Sequence, residues 1–181
     1  GEAEYAIDVA LPGMLHGKSV RSPYPYAHIV SIDTTQALAL PGVHAVLTGE
    51  DIGDHVMGNR VKDVPLLAKG VVRYIGEKVA AVVADDEPTA ERARDLVDVV
   101  YEELDPVFTI DEATAEGAPI LHPNMMSYSG YMKPPPGPSN TFFTNAYGIG
   151  DIDVGFAEAD LVFEDTYTTQ RQHPAFFEPR A

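Results

Sequence analysis

The densest run of side chains that could do chemistry is Gln170-Arg171-Gln172-His173-Pro174, near the end of the 181-residue sequence. It gathers two amides, a guanidinium and an imidazole, which are groups that bind anions or metal ions. A metal site needs several ligands at suitable spacing, and this run supplies one histidine without a spaced partner. We therefore interpret these side chains as strand-end residues that hydrogen-bond to a neighbouring loop.

The histidines as a set do not indicate a metal site. None of the six belongs to an H-E-x-x-H pattern or to another ligand spacing; they are His16, His28, His44, His55, His122 and His173. The sequence contains no cysteine, which excludes disulfides, thiolate zinc sites and iron–sulfur ligation by this chain. No metal ligand is predicted.

Other chemically suggestive patterns have simpler structural interpretations. Gly148-x-Gly150-Asp151 lacks the third glycine and the strand-to-helix context of a dinucleotide fingerprint, so it predicts a turn. Tyr24, Tyr26 and Arg73 could face a partner, but each fits ordinary packing at least as well. Helix capping and solvated turns explain the acidic pairs that could suggest acid–base catalysis, Asp85-Asp86-Glu87 and Glu102-Glu103. We assign no catalytic, cofactor-binding or metal-binding residue.

The charge balance is strongly acidic. Twelve lysines and arginines against 28 aspartates and glutamates give a net charge of −16, which repels nucleic acid and anionic lipid surfaces. No apolar run approaches the roughly 20 residues that cross a bilayer. The start, Gly1 to Tyr5, has no secretory pattern and suggests a processed or excised terminus. We expect no nucleic-acid partner, no membrane partner and a cytoplasmic location.

The predicted strands and helices are clearest between residues 71 and 102. Two β-rich runs flank a turn at Gly76-Glu77, a helical pattern covers 87–97, and a third β-rich run follows. Asp85 or Asp86 can cap this helix, and Pro88 fits its first turn. Its apolar stripe consists of Ala90, Ala93, Leu96 and Val97.

Shorter elements precede and follow this block. Residues 49–65 lack periodicity and indicate a surface loop with one turn of helix at 49–52. A short helix is predicted from Asp33 or Thr34 to Ala39. Apolar content and alternation predict strands at 6–11, 14–20, 28–33, 43–48 and 161–170. Many strands with few helices predict an α+β fold, in which a mixed sheet carries its helices on one side.

Several short motifs occur in order along the chain: Arg21-Ser22-Pro23, Leu40-Pro41-Gly42-Val43, Arg73-Tyr74-Ile75-Gly76-Glu77, Tyr101-Glu102, Gly150-Asp151, Gln172-His173 and Glu178-Pro179. Together they resemble the opening of the molybdenum subunit of the xanthine dehydrogenase and aldehyde oxidase family. Each motif is short, but their order and spacing are compatible with that family over nearly the whole chain. Lys78 departs from the pattern, since many members carry proline there.

The resemblance implies a domain order. It places a hammerhead-type α/β domain at residues 1–110 and the first strands of a molybdopterin-binding domain at 146–181. Between them, residues 111–145 are rich in proline and glycine and indicate a linker or a wrapping arm.

The resemblance also implies a function for the intact subunit. Such a subunit binds molybdopterin and hydroxylates an aldehyde or an N-heterocycle with oxygen from water, while iron–sulfur and flavin groups on partner chains or domains remove the electrons. The family's catalytic and pterin-binding residues have no counterpart in these 181 residues. This segment is therefore expected to have a structural and assembly role and to be inactive alone.

The implied partners are the remainder of the molybdenum subunit and the iron–sulfur and flavin subunits. Two alternatives stay open. One is a stand-alone hammerhead module that binds or scaffolds other proteins, and the other is a naturally split subunit that a second chain completes.

Overall fold

The computed structural model describes residues 4–131, 135–170, 172 and 175. The chain divides into two compact units: the first is Pro12–Phe143, and the second combines the two ends of the chain, 1–11 and 144–181. No helix in the described part of the chain combines the length and the apolar composition that a bilayer span needs.

The first unit contains the strands and most of the helices that the structure describes. In chain order these are β1 His16–Arg21, β2 Ala27–Asp33, α1 Thr35–Ala39, β3 Val43–Thr48, α2 Gly49–Ile52, β4 Val56–Met57, β5 Val64–Pro65, β6 Val71–Val72, β7 Lys78–Ala84, α3 Glu87–Asp95, β8 Asp98–Glu103 and α4 Ile110–Thr114, followed by a 3-10 turn at Met125–Ser127.

The strands form three antiparallel sheets. β7 lies between β1 and β3 in the first, β2 lies between β6 and β8 in the second, and β4 pairs with β5 in the third. β7 is nearly continuously apolar, which suits a central strand that is buried on both faces. The α+β class predicted from the sequence is confirmed, and every strand pair among the described residues is antiparallel.

Helix α3 packs against the first sheet. Its N-cap is Asp86, whose carboxylate accepts a hydrogen bond of 2.7 Å from the backbone N–H of Thr89, as the capping prediction required. Ala90 and Ala93 are buried. The helix ends at Asp95, two residues before the predicted end, so Leu96 is 36% exposed instead of joining the buried stripe.

Two apolar clusters form the core of this unit. One joins α1, β7 and the end of α3 through Ala37, Ala80, Val82, Ala93 and Val97. The other lies beside the second sheet and is built from Ala27, Ala68, Val72 and Val79. Because β7 contributes to both clusters, it connects the first and second sheets.

The predicted loop at 49–65 is more structured than expected. The helical turn is present as α2, and β4 and β5 then pair as a small hairpin with Met57 opposite Val64. Two-residue strands are too short to produce a periodic pattern, so the sequence could not reveal them.

The second unit differs from two strand predictions. Residues 6–11 contain a 3-10 turn at Ala6–Asp8, where the Asp8 carboxylate accepts a hydrogen bond of 2.9 Å from the N–H of Tyr5. Residues 161–170 are exposed and no strand pairs with them within the described residues. At residues 6–11 the hydrogen bond from the backbone to the Asp8 side chain competes with strand pairing. At residues 161–170 a strand would need a hydrogen-bonded neighbour, and the described residues provide none. The helix of this unit is α5, Ile152–Glu158.

Residues 111–131 and 135–143, here called the arm, belong to the first unit and are held by specific contacts. The Asn140 amide Nδ2 donates to the carbonyls of Ala113 and Pro119, both at 2.9 Å, and its Oδ1 accepts from the N–H of Leu121 at 3.0 Å. The N–H of Lys62 donates to the carbonyl of Ser129 at 3.0 Å. The arm is therefore tied to itself and to the β4–β5 hairpin.

We expect Gly130→Ala to loosen this attachment. Gly130 has φ +94°, and a Cβ there would clash with the carbonyl oxygen of Arg60. The left-handed backbone alone costs about 1–3 kcal/mol for a residue with a side chain. Urea denaturation should show this loss for Gly130→Ala, whereas the matched variant Gly137→Ala, in open space within the same arm, should unfold like the unmodified protein.

Candidate functional site

A cleft of about 480 Å³ in the first unit lies between the β4–β5 hairpin and the arm. Titratable side chains from several parts of the sequence line it. The side chains on which its chemistry depends are His55, Lys62, Asp63, Lys69, Arg73 and Tyr128.

The three cations of the cleft are already engaged. Lys69 Nζ lies 3.1 Å from a carboxylate oxygen of Glu50. Lys62 Nζ donates to the carbonyl of Gly58 at 2.6 Å. Arg73 pairs with Glu77 at 2.9 Å. An anion in this cleft would have to displace these partners. The three cations therefore stabilise the fold and are not free to bind a ligand.

The Arg73–Glu77 pair is the most buried ion pair among the described residues. Glu77 is 4% exposed. Arg73 Nη1 donates to Glu77 Oε1, the backbone N–H of Arg73 donates to Glu77 Oε2, and Arg73 Nε reaches the carbonyl of Leu121 at 3.3 Å. One guanidinium thus links the turn before β7 to the arm.

Burial raises the pKa of the Glu77 carboxyl above its ordinary value, and hydrogen bonds and charge from Arg73 offset part of that rise. Perturbed pKa values are found at active sites and also in structural ion pairs. Here both oxygens of the carboxylate are used by Arg73, which indicates an anchor rather than an acid or base acting on a substrate.

On the arm side, His122 is half-buried between two aromatic rings. Its Nδ1 lies 3.0 Å from the hydroxyl of Tyr128, and its ring makes edge-on contacts with Tyr128 and Phe142 at centroid distances of 5.7 and 5.6 Å. Burial lowers the pKa of His122, and the positive charge of Arg73 lowers it further.

The structure does not gather the histidines into a metal site. Within the described ranges, no group of three or more His, Asp or Glu side chains is placed to hold a metal ion. His44 Nε2 pairs with Asp85 Oδ1 at 2.6 Å on the surface. In the run at 170–174, Gln170 and Gln172 are exposed, and the other three residues lie outside the described residues.

The remaining candidates have structural roles where the structure describes them. Gly150 adopts φ +79° in a turn before α5, and the Asp151 carboxylate caps that helix by accepting from Asp153 and Val154. Glu87 pairs with Lys18. Tyr24 packs on Tyr101 with 5.2 Å between ring centroids.

Sequence analysis missed the Glu77 anchor and the Asn140 contacts. Arg73 and Glu77 are four residues apart within an otherwise apolar stretch, which was an available signal for a buried pair. Asn140 bonds to groups 19 to 27 residues away, and no local pattern encodes such contacts.

Comparison with known proteins decides the family. The family model described as aldehyde oxidase and xanthine dehydrogenase, a/b hammerhead domain, matches residues 1–105. The chain belongs to this family. The match includes the two three-stranded sheets and α3, so the hammerhead domain accounts for most of the regular structure of the first unit.

Curated relatives match almost the whole chain. It is 38% identical over 181 residues to a probable xanthine dehydrogenase subunit of Bacillus subtilis, covering 98% of this chain and 22% of that protein. It is 36% identical over 182 residues to the nicotinate dehydrogenase large molybdopterin subunit of Eubacterium barkeri, and this match covers 100% of this chain and 40% of that protein. The chain therefore spans about a fifth to two-fifths of the length of these relatives.

Solved structures share the hammerhead fold. The carbon monoxide reduced state of the Cu,Mo-CO dehydrogenase matches with a TM-score of 0.68 and 37% identity over 87% of this chain and 20% of that one. The CO dehydrogenase from Oligotropha carboxidovorans matches with a TM-score of 0.61 and 43% identity over 65% of this chain and 15% of that one. The predicted family and fold are confirmed.

Molybdopterin carries a phosphate, and neither the cleft nor the N-terminus of α3 fits such a group. The cleft cations are paired as described above, and a carboxylate occupies the N-terminus of α3 through Asp86. A phosphate prefers unpaired cations and free backbone N–H groups. The cleft residues thus form a structural anchor, and no reaction step is assigned to them.

Proposed function

We propose that this chain is the hammerhead portion of the molybdopterin-binding subunit of a molybdenum hydroxylase, with a structural and assembly role and no catalysis of its own. The single observation that carries the proposal is the match of 98–100% of the chain to proteins named as dehydrogenase subunits, one of them a large molybdopterin subunit. The paired charges of the cleft support a structural role.

The proposed reaction of the intact enzyme is hydroxylation of an aldehyde or an N-heterocycle. Relatives named nicotinate dehydrogenase and nicotine 6-hydroxylase support the heterocycle class. In this proposal molybdopterin binds to the remainder of the subunit, and iron–sulfur and flavin groups lie on partner chains or domains in the cytoplasm. A relative named as the gamma subunit of a dehydrogenase complex supports a multi-subunit assembly.

Within the chain, the proposed division is a hammerhead domain at 1–110, a connecting segment at 111–145 that contains the arm, and the start of a molybdopterin-binding domain at 146–181. The family match to residues 1–105 supports the first part. The hydrogen bonds from Arg73 to the carbonyl of Leu121 and from Lys62 to the carbonyl of Ser129 support an arm that wraps the hammerhead rather than a free tether.

A subunit split between two chains is the second candidate. It is favoured by the Eubacterium relative, because this chain covers 40% of that protein but only 22% of the Bacillus one over nearly the same aligned length. That relative is therefore roughly half as long, although it is named a large molybdopterin subunit. A stand-alone binding or scaffold module is the remaining alternative.

The test is metal analysis combined with native mass spectrometry of the tagged protein purified from its own host. Molybdenum and iron in a much larger particle are the expected result. A metal-free particle with the mass of this chain alone, 19.6 kDa plus the tag, would contradict the proposal and favour the stand-alone module. Separate polypeptides that together complete a molybdenum-containing subunit would identify the split form.

A further inference from the structure

Two large apolar side chains lie exposed at the turn that precedes β7. Tyr74 is 53% exposed and Ile75 is 65% exposed, whereas most of the strand that follows them is buried. Tyr74 and Ile75 are here called the tip. Exposed apolar residues are ordinary on protein surfaces, so the tip indicates binding only if other features of the turn support it.

The first such feature is the fixed conformation of the turn. The N–H of Gly76, which has φ +89°, donates to the carbonyl of Ser22 at 2.8 Å, and the N–H of Ser22 donates to the carbonyl of Glu77 at 2.9 Å. Arg21 Nη1 donates to the carbonyl of Gly76 at 2.8 Å. The N–H of Glu77 donates to the carbonyl of Tyr74 at 3.2 Å. Hydrogen bonds from β1 and within the turn therefore hold the backbone of the tip.

The buried ion pair holds the same turn from the inside. The Glu77 carboxylate accepts hydrogen bonds from the backbone N–H of Arg73 and from its guanidinium, so the residues on either side of the tip are joined. A binding element that already has one conformation loses less entropy when it meets its partner. Tyrosine is also one of the residue types that most often dominate the energy of a protein interface. The tip thus has the properties of a preorganised anchor.

The second feature is a local positive charge, in a chain whose net charge is −16. Arg21, Arg73 and Glu77 act electrostatically on the Tyr74 hydroxyl, and Arg73 and Glu77 balance each other as an ion pair. Lys78 is exposed and lies opposite Arg21 in the pairing of β1 with β7. Among the residues that the structure describes, neither Arg21 nor Lys78 forms an ion pair. Two cations without an acidic partner therefore adjoin the tip.

We propose that the tip is a docking anchor for a protein surface outside residues 1–181, one that offers an apolar pocket edged by aspartate or glutamate side chains. Tyr74 and Ile75 enter this pocket, and Arg21 and Lys78 face its acidic edge. Complementary charge favours such a partner over one with a neutral or basic edge. The inference concerns a surface of the hammerhead and does not rest on the proposed enzymatic function.

Two other occupants fit the tip less well. Anionic membranes are recognised by clusters of about four to eight cations, whereas two cations adjoin the tip and the whole chain is strongly acidic. Two copies that met tip to tip about a twofold axis would bring Arg21 and Lys78 close to the same cations of the other copy. A tip that docked on a different surface of a second copy would leave the next tip free and produce an open-ended chain of molecules.

Photo-crosslinking in the protein's own host tests the anchor. The photoreactive amino acid p-benzoylphenylalanine replaces Tyr74 in the tagged full chain, and mass spectrometry identifies the crosslinked peptides. The expected product joins position 74 to a protein sequence outside residues 1–181 that is apolar and contains aspartate or glutamate. The same photoreactive residue in place of Leu38, which is 49% exposed on α1, is the matched control and should not give this product.

Two substitutions in the crosslinking protein separate the apolar contribution from the charge. Ile75→Ser should lower the yield of the product by at least about tenfold, as expected for a residue that anchors an interface. Lys78→Glu should lower the yield more strongly at low than at high ionic strength, because salt screens exposed charges. Leu38→Ser should leave the yield unchanged. Ile75 and Lys78 are exposed, so their substitution should not shift the urea midpoint, which separates docking from folding.

Four crosslinking results would overturn the anchor: no product from position 74, a product with a second copy of residues 1–181, a captured sequence without acidic residues, or a yield that Ile75→Ser or Lys78→Glu leaves unchanged. Sedimentation of the unmodified chain with vesicles of phosphatidylserine and phosphatidylcholine should show no binding. Vesicle binding that Ile75→Ser abolishes would assign the tip to a lipid surface and would equally overturn the proposal.

Discussion

Replacing Glu77 with alanine is expected to lower the free energy of unfolding by about 3–5 kcal/mol, the usual cost of removing one partner of a buried ion pair. Glu77 is 4% exposed and the Arg73 side chain 17% exposed, so the guanidinium would keep its charge without the carboxylate that balances it. Urea denaturation followed by circular dichroism at neutral pH measures the change.

The matched control for this substitution is Glu50→Ala. Glu50 also pairs with a cation, Lys69 at 3.1 Å, but both side chains are exposed and the pair is screened by water. Its denaturation midpoint should therefore match that of the unmodified protein. If Glu77→Ala unfolded at the same urea concentration as Glu50→Ala, the anchor role of the buried pair would be wrong.

Met125→Ala is expected to cost about 2–5 kcal/mol, the range found when a large buried side chain is truncated and leaves a cavity. Met125 is 0% exposed, and its sulfur accepts a hydrogen bond from the N–H of Ser139 at 3.0 Å, so it joins the two halves of the arm. The midpoint of thermal unfolding and the urea midpoint should both fall.

The neighbouring residue provides the control. Met126 has the same chemistry but is 46% exposed, so Met126→Ala should change stability by no more than about 0.5 kcal/mol. Equal effects of the two substitutions would mean that the arm does not bury Met125 in solution. In the proposed molybdenum-containing complex, loss of molybdenum in Met125→Ala but not in Met126→Ala would further link arm packing to assembly.

The sequence was sufficient to predict those helices and strands in which the spacing of apolar residues fits only one kind of secondary structure. β3 lies at the predicted residues 43–48, α3 starts after a capping aspartate as expected, and β7 follows the turn at Gly76-Glu77. In these segments the apolar spacing, the cap and the turn residues all favour the same structure. Some of the motifs that carry the family resemblance, such as Arg73-Tyr74-Ile75-Gly76-Glu77, lie within this region.

Other features of the fold and of the site depend on contacts between residues that are far apart in the sequence, which a short stretch of sequence does not reveal. The 161–170 segment has the alternation of a strand, yet strand formation depends on a neighbour that the pattern cannot supply. The proline-rich composition of the arm indicated a linker or a wrapping arm, but it could not show that the single side chain of Asn140 organises the arm through three distant backbone groups. The Arg73–Glu77 pair is visible in the sequence, but its burial follows only from tertiary packing.

The central position of β7 constrains when this domain can fold during synthesis. Val82 pairs with Lys18 on one side and with Val46 on the other, so the first sheet closes only after separations of 64 and 36 residues have been bridged. Such long-range pairing is slow compared with local helix formation. Until Ala84 has left the ribosome, β1 and β3 lack the strand between them, and their exposed edges are the surfaces that a nascent-chain chaperone would protect.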